Sequence, residues 1–400
     1  MIEPFYLTKK IFLFIILNDK GFFIMQSNIK IVEVKNRKQI KEFIDFPLKM
    51  YKDNPYYVPP IYMDEKALFK KSCIHNLTCD QIFFLAYRNN KVVGRIQGII
   101  QKQYNELYKT KKARFSRFHC EDNLETATCL IKEVEKWAKE KGMEEIIGPM
   151  GYNDLEREGL LIEGFDYLNT YEEEYNFPYY QKLIEANGFS KDVDWVEFRI
   201  YPENYEEEKL EKIAKRALKK MNLRIEGMGM NKNKFLKKYA EDLFHLIDVC
   251  YSPLYGTVPL TKETKKSIID NFKLAINTDY IVVIVDENDK AIAFGLALPA
   301  IGPSLQKSQG RLTPSTIINL LKTIKSPKVL DFALVGVLPE YQGLGIIAIM
   351  MNLLQQTFNN HSIEYVETNL NLETNNKIIG NWKFFRNIQH KRRRSFIKKI

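Results

Sequence analysis

Residues 331–358 read DFALVGVLPEYQGLGIIAIMMNLLQQTF. Residues 331–337 form a short, mostly apolar run of strand length, and 346–358 a predominantly apolar run of helical length. Between them stand Pro339, Gly343 and Gly345. A strand that ends near a proline, turns through closely spaced glycines and enters a helix leaves backbone N–H groups unpaired at the positive end of the helix dipole. Such a turn seats an anion, typically a phosphate. Glycine at 343 and 345 lets the anion's oxygens reach amides that a Cβ would screen. The run holds neither GxGxxG nor GxxxxGK[ST], which argues against a dinucleotide turn and a P-loop.

Working outward, 400 residues with 45% hydrophobic content can bury a large core, and the length suggests two or three domains. The five cysteines, Cys73, Cys79, Cys120, Cys129 and Cys250, are scattered with no CxxC. A disulfide framework is not expected, and a reducing cytoplasm fits. Cys73, His75 and Cys79 lack a second ligand pair at zinc spacing, so no metal site is expected.

The net charge of +10 is local. Residues 386–400 carry seven Lys or Arg and no acid, which leaves +3 on the rest of the chain. The counterpart is 154–174, with eight acids against Arg157 alone. The tail could contact nucleic acid or an anionic membrane. Ser395, Phe396 and Ile397 interrupt its charges as a last strand would, so it reads more simply as a solvated strand edge. No nucleic-acid or membrane partner is expected.

Residues 1–24 place Lys9 and Lys10 before the apolar run 11–17, too short to span a bilayer and without a small-residue cleavage site. They read as a leader or an over-extended start, with Met25 opening the first strand. From there strand, helix, hairpin, helix, strand, helix, strand follow in order. The hairpin turns at Asn89-Asn90 and the fourth element is the helix 126–141. Residues 201–400 repeat that order, with a second hairpin through Glu287-Asn288-Asp289.

The segment Val337-Leu338-Pro339-Glu340-Tyr341-Gln342-Gly343-Leu344-Gly345-Ile346 resembles the acetyl-CoA loop V-x-P-x-x-[QR]-G-x-G-x-[GA] of the GCN5-related N-acetyltransferase (GNAT) superfamily. Ile347 departs from it, standing where Gly or Ala is usual. The resemblance extends over most of 29–400 as two GNAT folds in tandem, α/β units with a mixed sheet. It is similar to a group of uncharacterised bacterial tandem proteins through Val58-Pro59-Pro60, Val93-Gly94-Arg95-Ile96, Gly148-Pro149-Met150-Gly151 and residues 159–166. It implies an N-terminal GNAT-like domain at 25–200 and a C-terminal one at 201–400. Residues 113–120, at the first half's cofactor position, contain no glycine, so acyl-CoA binding is expected in the second half alone.

The resemblance implies an acyl-CoA-dependent N-acyltransferase that moves an acyl group from acetyl-CoA or another acyl-CoA to a small-molecule or peptide amine. The implied cofactor contacts are Val337, Gln342, Gly343, Leu344, Gly345, Ile346 and Ile347. Such chemistry needs a base for the amine, an oxyanion donor and an acid for the thiolate. Tyr365, Glu367 and Asn369 share one strand face, and Glu367 is the expected general base. The family's usual Tyr acid has no equivalent among Trp382, Lys383, Phe384 and Phe385. Tyr179 and Tyr180 of the first half are the substitutes available. Without an acid the alternative is a non-catalytic acyl-CoA-binding or scaffold protein. The segment 154–174 is expected to wall the cleft, with Asp154, Glu158, Glu163 and Asp166 attracting a cationic amine. The opposing reading pairs these acids with the basic tail.

Overall fold

The computed structural model describes residues 13–18, 21–26, 28–273 and 275–400. Strands β1 (Leu13–Asn18) and β2 (Gly21–Gln26) form a separate antiparallel hairpin. The expected leader at 1–24 thus lies partly outside the described residues.

The first half contains β3 (Ile29–Glu33), α1 (Arg37–Met50), α2 (Tyr62–Ala67), β4 (Cys79–Arg88), β5 (Lys91–Gln101) and α3 (Lys102–Tyr108). It continues through β6 (Lys112–Cys120), α4 (Leu124–Glu140), β7 (Glu145–Gly148), β8 (Leu160–Glu163), α5 (Tyr180–Ala186) and β9 (Ser190–Asn204). Local chemistry accounts for much of this. Asn36 and Gln39 close a capping box on α1. Asn89 and Asn90 adopt φ of 49° and 61° to turn the β4–β5 hairpin.

The second half contains α6 (Glu207–Lys220), β10 (Arg224–Glu226), α7 (Lys232–Tyr251), α8 (Lys262–Phe272), β11 (Ile281–Val285) and β12 (Ala291–Pro299). Then come α9 (Gly302–Ser308), α10 (Pro314–Lys325), β13 (Val329–Val337), α11 (Ile346–Asn360), β14 (Tyr365–Thr368), β15 (Asn371–Leu372), α12 (Asn376–Ile379) and β16 (Phe385–Lys399). Residues 373–385 form only the single turn α12 and a 3-10 turn, Trp382–Phe384.

One continuous sheet joins the halves in the order β10-β11-β12-β13-β14-β9-β16-β7-β6-β5-β4-β3, with β15 beside β9 and β8 beside β16. The final strands are exchanged. β9 ends the first half yet pairs with β14, and β16 ends the second half yet pairs with β7. The cores agree: Val196, Phe198 and Ile200 of β9 are buried in the second core, and Phe396 of β16 in the first. The expected domain boundary at residue 200 falls inside β9.

The exchange corrects the reading of the basic tail as a solvated edge, because β16 is a central strand. Lys391 and Arg393 are 1% and 0% exposed. Arg393 Nε lies 2.6 Å from Glu197, and Arg394 forks onto Asp194 at 2.7 and 2.9 Å. Lys391 sits between Glu197 and Glu367. Buried charges are tolerated only when paired, and these pairs exist only in the observed register of β16 on β9. A one-residue slip would turn Arg393 and Lys391 to the opposite face. Lys391→Met should therefore destabilise the protein by about 3–5 kcal/mol in urea unfolding, the cost of a buried carboxylate left without its partner. An unchanged urea midpoint would show the pair to be dispensable.

Candidate active site

β13 and β14 are parallel neighbours for only four pairs, from Val329 with Tyr365 to Phe332 with Thr368. The Asn369 N–H reaches the Phe332 carbonyl at 3.1 Å and its Nδ2 the Ala333 carbonyl at 3.4 Å, beyond which the two strands form no further pair. β13 continues to Val337 against β12, so a wedge opens on its other edge. In the wedge the Tyr251 hydroxyl, from the last residue of α7, accepts from the Val335 N–H at 3.1 Å and donates to the Val335 carbonyl at 3.2 Å.

The glycine loop stands at the end of the same strand. A 3-10 turn, Pro339–Tyr341, follows Val337 and Leu338, and the Gln342 side-chain amide braces it by donating to the Val337 carbonyl at 3.2 Å. Gly343 and Gly345 take φ of 77° and 91°, the left-handed region. Gly345 caps α11 with no side chain, and the first turn holds no acid. A Cβ at 343 would meet open space, while one at 345 would come within 3.1 Å of Ala217 on α6. Leu344 is half exposed, Ile346 is buried, and Ile347 packs partly buried on the second core. The α11 amides thus face outward without a competing side chain, as an anion seat requires.

The first half fills its equivalent place. Asn123 Oδ1 caps α4 by accepting from the Thr126 N–H at 2.9 Å. The Tyr180 hydroxyl lies 2.9 Å from the Cys120 N–H, and the Tyr179 hydroxyl donates to the Cys120 carbonyl at 2.7 Å. These are the two phenols expected as substitute acids. Both are committed to the first half's own strand end, and neither lines the cavity described next.

A cavity of about 420 Å³ opens between α7, α8 and the wedge, where Ala333, Leu334, Val335, Thr368 and Asn369 reach it. Much of its wall is apolar, including Phe235, Phe244, Ile268, Leu296 and Phe332. All of its acids come from the first half: Asp154, Glu156, Glu158, Glu172 and Glu173. Glu158 and Glu173 are 5% and 3% exposed, and each leaves its Oε2 without a hydrogen bond. The Trp382 indole N–H, also on the wall, is likewise unpartnered.

Buried polar atoms are normally satisfied, so these mark where the cavity wants a ligand. Burial pushes Asp154 up to about 6 and Glu173 up to about 8, and holds Glu158 well above the carboxylate range. Arg393 Nε, at 3.6 Å, only partly offsets the burial of Glu173. An ammonium group entering among these oxygens would satisfy them and restore their charge. Glu163 and Asp166, expected beside them, do not line the cavity. Glu163 is exposed and pairs with Arg392 at 3.5 Å. Asp154 and Glu158 thus line the cavity, while Glu163 pairs with the basic strand.

Glu367, the expected general base, is 3% exposed and does not line the cavity. Its carboxylate meets Lys391, His390 Nε2 at 2.8 Å and Arg199 Nε at 3.2 Å. Burial opposes its ionisation, but Lys391, the His390 hydrogen bond and Arg199 outweigh it and hold Glu367 well below the carboxylate range. A carboxylate so engaged is a weak proton acceptor, and its place is the seam between the halves. Glu197, Glu367 and His390 bring ligand atoms within 4.8 Å of one another, yet the Lys391 ammonium already supplies the cation there. Cys73 and Cys79 are buried in a core cluster of the first half, and His75 stacks on Tyr152 at 3.7 Å.

Sequence reasoning missed Tyr251, Glu172 and Glu173 as members of the site. The acid excess of 154–174 was a signal for the two glutamates. Tyr251 offered none, because its role depends on where α7 ends relative to β13.

No family model matches the chain. It is 26% identical over 350 residues to Protein YghO of Escherichia coli (strain K12), spanning 85% of this chain and 87% of that protein. It is 22% identical over 323 residues to the bacterial ceramide synthase of Caulobacter vibrioides (strain NA1000 / CB15N), spanning 79% and 82%. Among solved structures it resembles a tandem GNAT protein from the clavulanic acid biosynthesis pathway. The TM-score is 0.54 at 10% identity, over 93% of this chain and 98% of that one. It also resembles a GCN5-related glucosamine N-acetyltransferase region of a fungal multi-domain GH3 beta-N-acetylglucosaminidase. There the TM-score is 0.55 at 10% identity, over 92% of this chain and 38% of that one. These likenesses show the fold: two GNAT units in tandem.

Proposed function

We propose that this chain, which has the tandem GNAT fold, is an acyl-CoA-dependent N-acyltransferase whose acceptor is an amine carried on a long apolar chain. The observation that carries the reading is the pair of buried carboxylate oxygens of Glu158 and Glu173 left without a hydrogen bond in a largely apolar cavity. That cavity reaches the same β13 wedge from which the glycine loop leads to α11. A cationic head and an apolar tail answer the two halves of that lining. The 22% identity to a bacterial ceramide synthase supports the same substrate class, since a ceramide is the amide of a fatty acid with a long-chain amino alcohol.

In this reading Gln342, Gly343, Leu344, Gly345, Ile346 and Ile347 hold the pyrophosphate of CoA at the start of α11, and the pantetheine runs from Val337 along β13 into the wedge. The acids take up the ammonium, and Glu173 or Asp154, poised near neutrality, receives the proton that the amine must shed. The freed lone pair attacks the thioester carbonyl, the C–N bond forms and the C–S bond breaks, and the thiolate leaves, its proton made good by the second one that the new amide nitrogen sheds. Tyr251 is the phenol in the wedge. Burial keeps it above the ordinary tyrosine range and so protonated, as an acid for the thiolate must be. Glu367 is assigned to the seam and not to proton transfer. The test is thiol release from a long-chain acyl-CoA. Tyr251→Phe should lower kcat by about 10- to 100-fold with little change in the Kd for CoA. An unchanged kcat would remove Tyr251 from the chemistry.

A further inference from the structure

We propose that the α9–α10 segment docks the protein on the surface of a bilayer rich in anionic phospholipid. The segment is an insertion: 29 residues separate β12 from β13, whereas only α3 and its flanks separate β5 from β6. From residue 300 to residue 330 the chain carries Lys307, Arg311, Lys322, Lys325 and Lys328 and not one acid.

α10 packs inward through Thr316 and Leu320. Its opposite side presents Ile317, Ile318 and Leu321, 38%, 54% and 49% exposed, with Leu312 just before the helix at 40%. At 100° per residue Ile317, Leu321 and Ile318 fall within one arc of about 100°, with Lys325 inside it and Lys322 about 40° beyond it. Single exposed apolar residues are ordinary. Three on one arc of a helix, set in an acid-free basic run, are the pattern of a helix that lies in a membrane interface. There the lysines can extend to the phosphates while the apolar chains enter the acyl boundary.

The inner side of the segment is clamped to both halves. Gln306 Nε2 donates to the Pro55 and Tyr57 carbonyls at 2.8 and 3.1 Å, and the Tyr62 N–H donates to Gly310 at 2.9 Å. The Ile324 carbonyl accepts from Asn277 Nδ2 at 3.0 Å, next to Ile276 of the cavity wall. The segment is thus held to both halves, and the C-terminal end of α10 bonds the neighbour of a cavity-wall residue. Among the described residues no helix is long and apolar enough to cross a membrane, and docking on the surface requires none. Such docking departs from the expectation of no membrane partner.

The test is co-sedimentation of the purified full chain with phosphatidylcholine vesicles, with and without phosphatidylglycerol, at low and moderate salt. Wild type should pellet with the phosphatidylglycerol vesicles alone, less so as salt rises. Ile318→Ser with Leu321→Ser should weaken the partition about tenfold or more at unchanged circular dichroism, and Lys322→Gln with Lys325→Gln should flatten the salt dependence. Three outcomes overturn the proposal: no pelleting by wild type, equal pelleting by the Ser variant, or a wild-type dimer that the Ser variant turns into monomers. The last would show that a second copy covers the face. None of these readouts requires acyl transfer, so the docking and the proposed activity fail or stand separately.

Discussion

Gly343→Val with Gly345→Val should raise the Kd for an acyl-CoA at least about 100-fold, measured by calorimetry, while far-UV circular dichroism stays that of the wild type. Both glycines hold a positive φ, which costs an L residue about 1–2 kcal/mol each and a β-branched one more. A side chain at 343 would also project into the open space where an anion would approach the α11 amides. At 345 it would press on Ala217 and Ile213 of α6, so the single Gly343→Val variant separates the ligand effect from repacking. That variant alone should retain most of the affinity loss and lose only the backbone cost of about 2 kcal/mol. Equal CoA affinity for wild type and the double variant would place the donor site elsewhere.

The second large effect concerns the acids of the cavity. Glu158→Gln with Glu173→Gln should raise KM for a long-chain amine by more than about tenfold and leave acyl-CoA affinity unchanged. The same variant should melt about 2–4 °C higher at pH 8. The sign follows from burial. Glu173 is pushed up to about 8 and Glu158 well above the carboxylate range, so the folded state holds protons that the unfolded chain has released. Stability present below the unfolded value near 4.3 is then lost as pH rises toward 8. Removing the carboxylates removes that loss. Were the acids there only to pair with the basic strand, the variant would melt lower and KM would not move. In the wild type the acids work as a group, and kcat/KM should climb between about pH 6 and pH 8 as the cluster ionises, with apparent values that belong to the cluster.

The donor side of this account was legible in the sequence because its determinants are local. Pro339, Gly343 and Gly345 act on their own backbone, and the apolar runs on either side show strand and helix by periodicity alone. The Asn89-Asn90 hairpin was readable for the same reason. The acceptor side was only partly legible, since the acid excess of 154–174 showed that something there needs charge but not which carboxylates face inward. The exchange of β9 and β16 left no local mark. Both strands look like ordinary last strands, and the basic run 391–394 looks like a solvated edge until Asp194 and Glu197, about two hundred residues earlier, are placed opposite it. The surroundings of Glu367 were hidden for the same reason: the cations that bind it come from β16 and β9. Tyr251 enters the site through tertiary geometry alone.

The most direct measurement is product analysis by mass spectrometry. The purified full chain would be incubated with a long-chain acyl-CoA and a long-chain amino alcohol, with free CoA thiol read in parallel. The account predicts one amide formed per thiol released. Release should depend on the amine and be abolished in Gly343→Val with Gly345→Val. Tight acyl-CoA binding with no amide and no thiol release for amines of any chain length would contradict it, and would leave a protein that holds acyl-CoA without transferring the acyl group.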